Sequence, residues 1–197
     1  MENLVNPVFT VTRADKERLL GQRGLVVWLY GLSGAGKSTL ANELAGALHR
    51  AGRLALNLDG DVLRNGLNRG LGFTEQDRME NLRRAAEVAR LALETGSVVV
   101  CSFITPLNTM RRMVRDIIPA NDLLDVYVRC SYSTCAARDV KGLYAKAKAN
   151  ALANFTGKDS AFEEPDAPPA LLLDTDQWDV TDCTHRLVEA VLARVTA

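Results

Sequence analysis

The sequence predicts a three-layer α/β fold, in which a mainly parallel sheet carries helices on both faces. Short apolar runs alternate with segments of helical periodicity along most of the chain. A chain of 197 residues that is 47% hydrophobic and 24% charged is long enough for one well-buried core. It is too short for two full domains, so we expect residues 1–197 to form a single domain.

The predicted elements follow one another in a regular order. Residues 12–20 predict a short capped helix, which we expect to dock as part of an N-terminal arm over residues 1–23. Strands are predicted at 25–30, 53–58, 97–101, 123–128 and 171–173, and helices at 38–50, 75–95, 111–117, 132–138 and 182–195. Because helices separate most of the strands, the connections are crossovers and the strands are parallel. Ligands of such sheets bind beyond the carboxyl ends of the strands.

A segment at about residues 141–169 interrupts this alternation. It combines lysines, glycines and prolines and has no strongly apolar face. A segment of this kind is either a surface excursion or a lid that closes over a substrate. We favour the lid because lysines near a phosphate site have a counterion there. The lysines are Lys141, Lys146, Lys148 and Lys158.

Charge and cysteine content restrict the class of protein. The formal net charge is zero, so no overall field attracts nucleic acid or an anionic membrane. The four cysteines and two histidines lie outside the spacings typical of zinc sites, which favours reduced thiols. Residues 1–12 lack a basic region followed by an apolar one, and no stretch approaches 18 apolar residues. We therefore expect a cytoplasmic protein.

The motif that organises the chain follows the first strand. Residues 31–39 read GLSGAGKST, which matches the G-x-x-x-x-G-K-[ST] spacing of a P-loop. Its main-chain N–H groups would cradle the phosphates of ATP, Lys37 would contact the β- and γ-phosphates, and Ser38 would offer a hydroxyl to Mg²⁺. The predicted nucleotide site comprises Gly31, Leu32, Ser33, Gly34, Ala35, Gly36, Lys37, Ser38 and Thr39. An accidental turn is the alternative, and the strand and helix on either side argue against it.

Two carboxylates follow the second predicted strand. Asp59 and Asp61 stand where side chains face the P-loop across the edge of the sheet. One carboxylate can hold magnesium-bound water while the other accepts a proton from an attacking hydroxyl. The predicted metal site is therefore Ser38, Asp59 and Asp61. The alternative is an ordinary polar turn, which is weaker because Asp61 begins a helical segment instead of a hairpin.

A row of polar side chains on the next two helical segments could hold a second anion. Arg64 lies three residues after Asp61, and Arg78, Asn81 and Arg84 repeat at a spacing of three. Guanidinium and amide groups along one stripe can bind an anionic substrate bidentately. A solvated, charged helix face explains the same pattern, and the residues alone leave both interpretations open.

Several motifs together resemble those of the adenylylsulfate kinase family. They occupy residues 31–39, 58–64, 71–73, 77–84, 138–144 and 155–159, and the similarity runs in order over about residues 10–195. The resemblance implies a P-loop kinase fold with a mobile lid. It also implies transfer of the γ-phosphoryl group of ATP to the 3′-hydroxyl of adenosine 5′-phosphosulfate, with Mg²⁺ as cofactor. A homodimer and a sulfate adenylyltransferase partner are further implications.

The resemblance also implies roles for individual residues. Lys37, Asp61 and Thr105 would be catalytic, with Asp61 as the base or the organiser of magnesium near the 3′-hydroxyl. Arg64, Arg78 and Asn81 would hold the phosphosulfate, and Phe73 and Phe155 would enclose the adenine. Arg138 would lie near the base of ATP. The remaining substrate contacts implied are Ile104, Thr105, Lys141, Leu143 and Asn154.

The departures from the family pattern concern the acceptor site and the lid. Thr105 stands in place of a serine, Leu107 in place of a tyrosine, and Lys158 where isoleucine is common. Lys146 and Lys148 stand where the family tends to end in arginine, which keeps the charge but loses the bidentate fork. The threonine keeps a hydroxyl, and direct in-line transfer needs no phosphorylated intermediate. A related kinase that acts on another nucleotide-like hydroxyl acceptor is the first alternative. The second is a nucleotide-binding regulatory protein without turnover, although Lys37, Ser38 and Asp61 are all intact.

Overall fold

A parallel five-stranded sheet forms the centre of the molecule. The computed structural model describes residues 9–140, 142–148, 156 and 160–196. The strands are β1 (Leu25–Tyr30), β2 (Ala55–Asp59), β3 (Val98–Ser102), β4 (Leu123–Arg129) and β5 (Leu171–Asp174). The helices are α1 (Arg13–Leu20), α2 (Lys37–Arg50), α3 (Gly60–Asn65), α4 (Glu75–Leu93), α5 (Asn108–Ile117), α6 (Tyr132–Arg138), α7 (Leu143–Lys148) and α8 (Val180–Val195). A 3₁₀ turn at Ala120–Asp122 precedes β4.

The strand order β2-β3-β1-β4-β5 places β1 in the middle of the sheet, and every neighbouring pair is parallel. Val27 pairs with Val100 on one side and with Leu124 on the other. All of β1 is buried because helices cover both faces of the sheet. The predicted α/β fold with a parallel sheet is confirmed, and the element boundaries differ from the prediction by a few residues.

Each face of the sheet has its own hydrophobic core. On one face, Leu25, Val27 and Leu29 pack with buried residues of α2 and α8. On the other, Val26, Trp28 and Tyr30 pack with residues of α4 and α5. Alternate side chains of a strand point to opposite faces, so one central strand contributes to both cores. This arrangement fixes the carboxyl end of β1, where the P-loop begins.

Helix α7 corrects the prediction for residues 141–169. The sequence suggested no apolar face there, but Tyr144 and Ala147 are buried in the core that α2 and α8 share. The carboxylate of Asp139 accepts hydrogen bonds from Tyr144 N at 2.9 Å and Ala145 N at 3.0 Å, and so begins the helix. The lid itself stays a prediction, because residues 141, 149–155 and 157–159 lie outside the described residues.

The N-terminal helix α1 contacts the turn before β4. Thr12 and Asp15 form a capping box at its first turn. Arg13 forms an ion pair with Asp122, with Nη1 2.6 Å from Oδ2, and this contact ties the helix to the turn before β4. In the part of the chain that the structure describes, no helix combines the length and apolar character needed to cross a membrane.

Candidate active site

The P-loop lies between β1 and α2, where only glycine fits the first position. A Cβ atom on Gly31 would lie 2.3 Å from the carbonyl oxygen of Val128, well inside van der Waals contact. Gly36 adopts φ +99° at the N-cap of α2, a backbone conformation that other residues rarely adopt. The N–H groups of the first turn of α2 follow directly, and they favour an anion at this end of the helix.

One cavity of about 400 Å³ extends from the P-loop along the carboxyl end of the sheet to α3 and α4. Most of the predicted site residues line it: Ser33, Gly34, Gly36, Lys37, Ser38, Thr39, Asp59, Asp61, Arg64, Phe73, Arg78, Asn81, Ile104, Thr105 and Leu143. Gly31, Leu32, Ala35 and Arg138 do not line it. Lys141, Asn154 and Phe155 lie outside the described residues. The structure thus brings the P-loop and the arginine cluster to one cavity.

The residues of the P-loop that do not line the cavity shape the loop instead. Leu32 O accepts a hydrogen bond from Lys37 Nζ at 2.7 Å and another from Ala35 N at 3.2 Å. Gly31 N donates to Ile104 O at 3.2 Å, which joins the loop to the segment after β3. Lys37 is nearly buried, so its ammonium is fixed beside the loop.

Asp59, the last residue of β2, connects the P-loop helix α2 to β3 and caps α3. Its Oδ2 accepts hydrogen bonds from Ser38 Oγ at 2.8 Å and from Ser102 Oγ at 2.6 Å, and its Oδ1 accepts from Asp61 N at 3.0 Å. A carboxylate beside a P-loop hydroxyl is the oxygen donor set that suits Mg²⁺. Within the described residues, no group of three or more His, Cys, Asp and Glu side chains is placed to hold a metal. Phosphate oxygens and water would complete the shell.

Ser102 contacts a residue of the predicted metal site, and sequence reasoning missed this contact. It ends β3 and pairs with Asp59 in the register of the sheet. The available signal was its position at the carboxyl end of a buried strand, next to the strand that carries the carboxylates.

Two guanidinium groups and one ring form the far end of the cavity. The Cζ atoms of Arg64 and Arg78 lie 4.4 and 5.6 Å from the ring centroid of Phe73, which is 54% exposed. Arg64 Nη1 donates to the carbonyl oxygens of Leu71 and Gly72 at 3.0 and 2.8 Å. Both side chains are therefore held against the ring that they approach.

Burial lowers the pKa of both guanidinium groups. For Arg78 the neighbouring charge of Arg64 lowers the pKa further, whereas Asp61 and Asp77 oppose the lowering at Arg64. Two like charges brought together at a partly desolvated cavity wall favour an anionic ligand.

Arg84 does not belong to this group, and of the two interpretations left open by the sequence its contacts favour the charged helix face at that position. Its Nε atom lies 2.7 Å from Oε1 of Glu80, one turn earlier on the same helix. An acidic residue at this spacing competes for the guanidinium group. Arg78 and Asn81 are buried and line the cavity, whereas Arg84 does not line it.

The segment after β3 holds Thr105 in an unusual backbone conformation. Thr105 has φ +43° and is almost fully buried. Its Oγ1 accepts a hydrogen bond from Trp28 Nε1 at 3.0 Å, and its carbonyl oxygen accepts one from Arg111 Nε at 3.1 Å. A non-glycine residue in this conformation is characteristic of functional sites. The catalytic role implied for Thr105 stays a prediction.

The side chains of Thr175 and Tyr144 donate hydrogen bonds to carbonyl oxygens of the P-loop, and Arg138 contacts Thr175. Arg138 Nη2 donates to Thr175 O at 2.7 Å, and Thr175 Oγ1 donates to Ala35 O at 3.1 Å. Tyr144 OH donates to Ser33 O at 2.7 Å, a contact that sequence reasoning missed because the two residues lie far apart in the chain. The structure places Arg138 against residues behind the loop, and its contact with the base of ATP stays a prediction.

The parallel sheet, the P-loop and the cavity with an arginine-lined end define a P-loop kinase. A model of the adenylylsulphate kinase family matches residues 23–173. The chain belongs to this family.

Similar proteins agree with this assignment over nearly the whole chain. The adenylyl-sulfate kinase of Bacteroides fragilis is 47% identical over 98% of this chain and 96% of its own length. The bifunctional enzyme NodQ of Azospirillum brasilense is 48% identical over 95% of this chain, which corresponds to 30% of NodQ. The structure of the Mycobacterium tuberculosis APS kinase in complex with AMPPNP and APS superposes with a TM-score of 0.81 at 40% identity. The superposition covers 86% of this chain and 98% of that one.

Proposed function

We propose that this chain transfers the γ-phosphoryl group of ATP to the 3′-hydroxyl of adenosine 5′-phosphosulfate and releases 3′-phosphoadenosine 5′-phosphosulfate and ADP. The observation that carries the proposal is the single cavity that joins the P-loop to Arg64 and Arg78. A kinase needs a donor and an acceptor within one water-excluding space. The M. tuberculosis relative, solved with an ATP analogue and APS together, supports the same pair of ligands.

The donor end binds and orients the triphosphate. Main-chain N–H groups of the P-loop and the first turn of α2 surround the β- and γ-phosphates, and Lys37 places its ammonium beside them. Ser38, Asp59 and Asp61 would hold Mg²⁺, which would neutralise charge on the same phosphates. Ser102 keeps the Asp59 carboxylate in place through its 2.6 Å hydrogen bond.

The acceptor end positions the attacking hydroxyl. Arg64, Arg78 and Asn81 bind the phosphosulfate, and Phe73 packs against the adenine opposite Phe155. Asp61 accepts the proton of the 3′-hydroxyl as its oxygen forms a bond to the γ-phosphorus, and the bond from that phosphorus to the bridging oxygen of ADP breaks. Thr105 and Ile104 contact the acceptor from the segment after β3.

The remaining expectations belong to the same proposal. A lid within residues 141–169 closes over the ligands, with Lys141, Leu143 and Asn154 contacting them and Arg138 near the base of ATP. The enzyme is a homodimer in the cytoplasm, where ATP is supplied and where its four buried thiols stay reduced. A sulfate adenylyltransferase supplies the acceptor, and the bifunctional relative supports an association with a second enzyme.

Replacement of the proposed base provides the first test. We expect Asp61→Ala and Asp61→Asn to lower turnover by roughly 10²–10⁴-fold, because the proton acceptor is lost. The dissociation constant for ATP should change by less than about 3-fold, since the P-loop is untouched. Single-turnover assays and ATP titration measure the two quantities, and turnover close to that of the wild type in Asp61→Asn would refute this role.

A panel of acceptors tests the substrate. The purified chain is incubated with labelled ATP and adenosine 5′-phosphosulfate, adenosine 5′-phosphate, shikimate or gluconate in parallel. We expect label in the product only with adenosine 5′-phosphosulfate, because its phosphosulfate matches the Arg64 and Arg78 wall. Label in another acceptor, and none in this one, would favour a different kinase of the same build.

A further inference from the structure

The side chain of Asn68 lies behind the cavity wall and contacts a residue that forms it. Asn68 is fully buried and does not line the cavity, whereas Asn81 does. Its Nδ2 atom donates to the side-chain Oδ1 of Asn81 at 2.9 Å and approaches the main-chain oxygen of Asn81 at 3.4 Å. Asn68 N also donates to Leu63 O at 2.7 Å, which fixes the loop that carries it. Asn68 is thus held between α3 and α4.

The main chain determines which way the Asn68 amide points. The oxygen and nitrogen of an amide side chain have nearly the same shape, so neighbouring groups must distinguish them. The atom that approaches Asn81 Oδ1 also approaches the carbonyl oxygen of Asn81, which can only accept a hydrogen bond. That atom is therefore the nitrogen of Asn68, because an oxygen there would face a second oxygen without a proton between them.

The orientation of Asn68 then determines the orientation of Asn81. The oxygen of the Asn81 amide is engaged by Asn68, so its NH₂ group is the end left for the cavity. Among the described residues, Asn81 Nδ2 has no hydrogen-bond partner. The Arg64 and Arg78 guanidinium groups line the same wall. All three groups are donors, so the wall presents N–H groups to a ligand.

We propose that Asn68 is a positioning residue that keeps the Asn81 NH₂ group directed at an oxyanion of the acceptor substrate. The inference rests on the proposed function, in which that oxyanion belongs to the phosphosulfate. Asn68 acts through Asn81 and touches no reacting atom. It selects for anionic acceptors, because a rotated Asn81 would place an oxygen against the negative charge.

The substitution Asn68→Asp tests this mechanism at nearly constant size. The new carboxylate has no donor for Asn81 Oδ1 and accepts from Asn81 Nδ2 instead, so the Asn81 amide rotates. We expect the KM for adenosine 5′-phosphosulfate to rise at least about 10-fold, because a donor is replaced by an acceptor beside an anion. The KM for ATP should change by less than about 2-fold. Asn65→Asp, at an exposed position on α3, is the control for the added charge and should leave both values unchanged.

Asn68→Ala separates positioning from a purely structural role. Alanine leaves the Asn81 amide free to rotate, whereas aspartate forces it to rotate, so the KM should rise less in Asn68→Ala than in Asn68→Asp. If Asn68 had only a structural role, Asn68→Ala would lower the melting temperature and leave the KM for adenosine 5′-phosphosulfate unchanged, and that result would overturn the proposal. If Asn68→Asp does not fold, the double-mutant cycle described next, which uses only alanine substitutions, tests the proposal.

A double-mutant cycle tests whether Asn68 acts through Asn81. In the Asn81→Ala background, Asn68→Ala should raise the KM for adenosine 5′-phosphosulfate by less than about 2-fold, since no amide remains to be oriented. An undiminished effect in that background would overturn the proposal. Wild-type turnover is measured first. Absence of product from adenosine 5′-phosphosulfate contradicts the proposed function, whereas normal turnover with unchanged KM values in the Asn68 variants contradicts only this inference.

Discussion

At the scale of single residues, the P-loop depends on one close approach between two strands. Gly31 is the first residue after β1, and its α-carbon faces the carbonyl oxygen of Val128 on β4. The gap is too small for a methyl group, and the atom opposite it belongs to the main chain of a buried strand. The position of the loop is therefore determined by the packing of β1 against β4.

Gly31→Ala should disrupt both stability and ATP binding. The added methyl would lie 2.3 Å from Val128 O, so β1 and β4 must separate, which costs about 3 kcal/mol or more of unfolding free energy. Gly52→Ala is the matched control, because it also has positive φ (+70°) but meets no atom within 4 Å. It should cost only about 1 kcal/mol of backbone strain and leave ATP binding intact. Chemical denaturation and ATP titration measure both effects, and equal losses in the two variants would contradict the steric explanation.

At the scale of elements, Arg111 of α5 joins two segments that border the cavity. Its guanidinium group donates to Thr105 O at 3.1 Å, to Pro106 O at 3.1 Å and to Glu163 O at 2.7 Å. It also lies over the rings of Tyr30 and Phe162, with its Cζ 4.7 and 5.1 Å from their centroids. A single buried cation thus links the segment after β3 to Phe162 and Glu163, which lie within the predicted lid.

Arg111→Lys should therefore impair the acceptor site. Lysine keeps the charge but cannot reach three carbonyl oxygens with a planar fork, so Thr105 loses support for its φ of +43°. We expect the melting temperature to fall by about 4–10 °C and kcat to fall at least about 10-fold. Differential scanning calorimetry and steady-state kinetics provide the two measurements.

Arg112→Lys is the control for this substitution on the same helix. Arg112 is exposed and forms a surface ion pair with Asp166, so its replacement should change both quantities little. If kcat of Arg111→Lys equals kcat of Arg112→Lys, the backbone conformation of Thr105 needs no support from Arg111.

The elements themselves were largely predictable from the sequence, for physical reasons. Strand β1 is an unbroken apolar run because helices cover both of its faces, and α4 shows the helical period because one side of it is buried. Helix α7 was not recognised, because it buries only Tyr144 and Ala147, with Leu143 partly buried against the same core, and its capping carboxylate, Asp139, belongs to the preceding loop. A short helix carries too few buried positions for a period to emerge.

At the scale of the whole molecule, the contacts that hold the site join distant parts of the chain. Ser102 and Asp59 are 43 residues apart, and Tyr144 and Ser33 are 111 apart. The P-loop was recognisable because its chemistry is contained in consecutive residues. The supports of the loop were not recognisable, because a hydroxyl at the end of a strand gains its role only from the neighbour that the sheet order provides. The N-terminal helix shows the same dependence on tertiary structure.

The attachment of this helix should make the stability of the molecule depend on pH. The hydrogen bond from Arg13 lowers the pKa of Asp122 below its ordinary value of 3.8, so the folded state binds fewer protons there than the unfolded state. The ion pair therefore contributes its full stability above about pH 5, and the contribution is lost as the pH falls through the lowered pKa. We expect Asp122→Asn to reduce the unfolding free energy by about 2 kcal/mol at pH 7.

The difference between Asp122→Asn and the wild type should shrink as the pH falls from about 4.5 to 2.5, because acid neutralises Asp122 in the wild type as well. Urea denaturation at a series of pH values measures this difference. Asp116→Asn, which removes an exposed carboxylate from α5, should stay within about 0.5 kcal/mol of the wild type throughout. A constant difference between Asp122→Asn and the wild type down to pH 2.5 would mean that the carboxylate charge is not what holds the N-terminal helix in place.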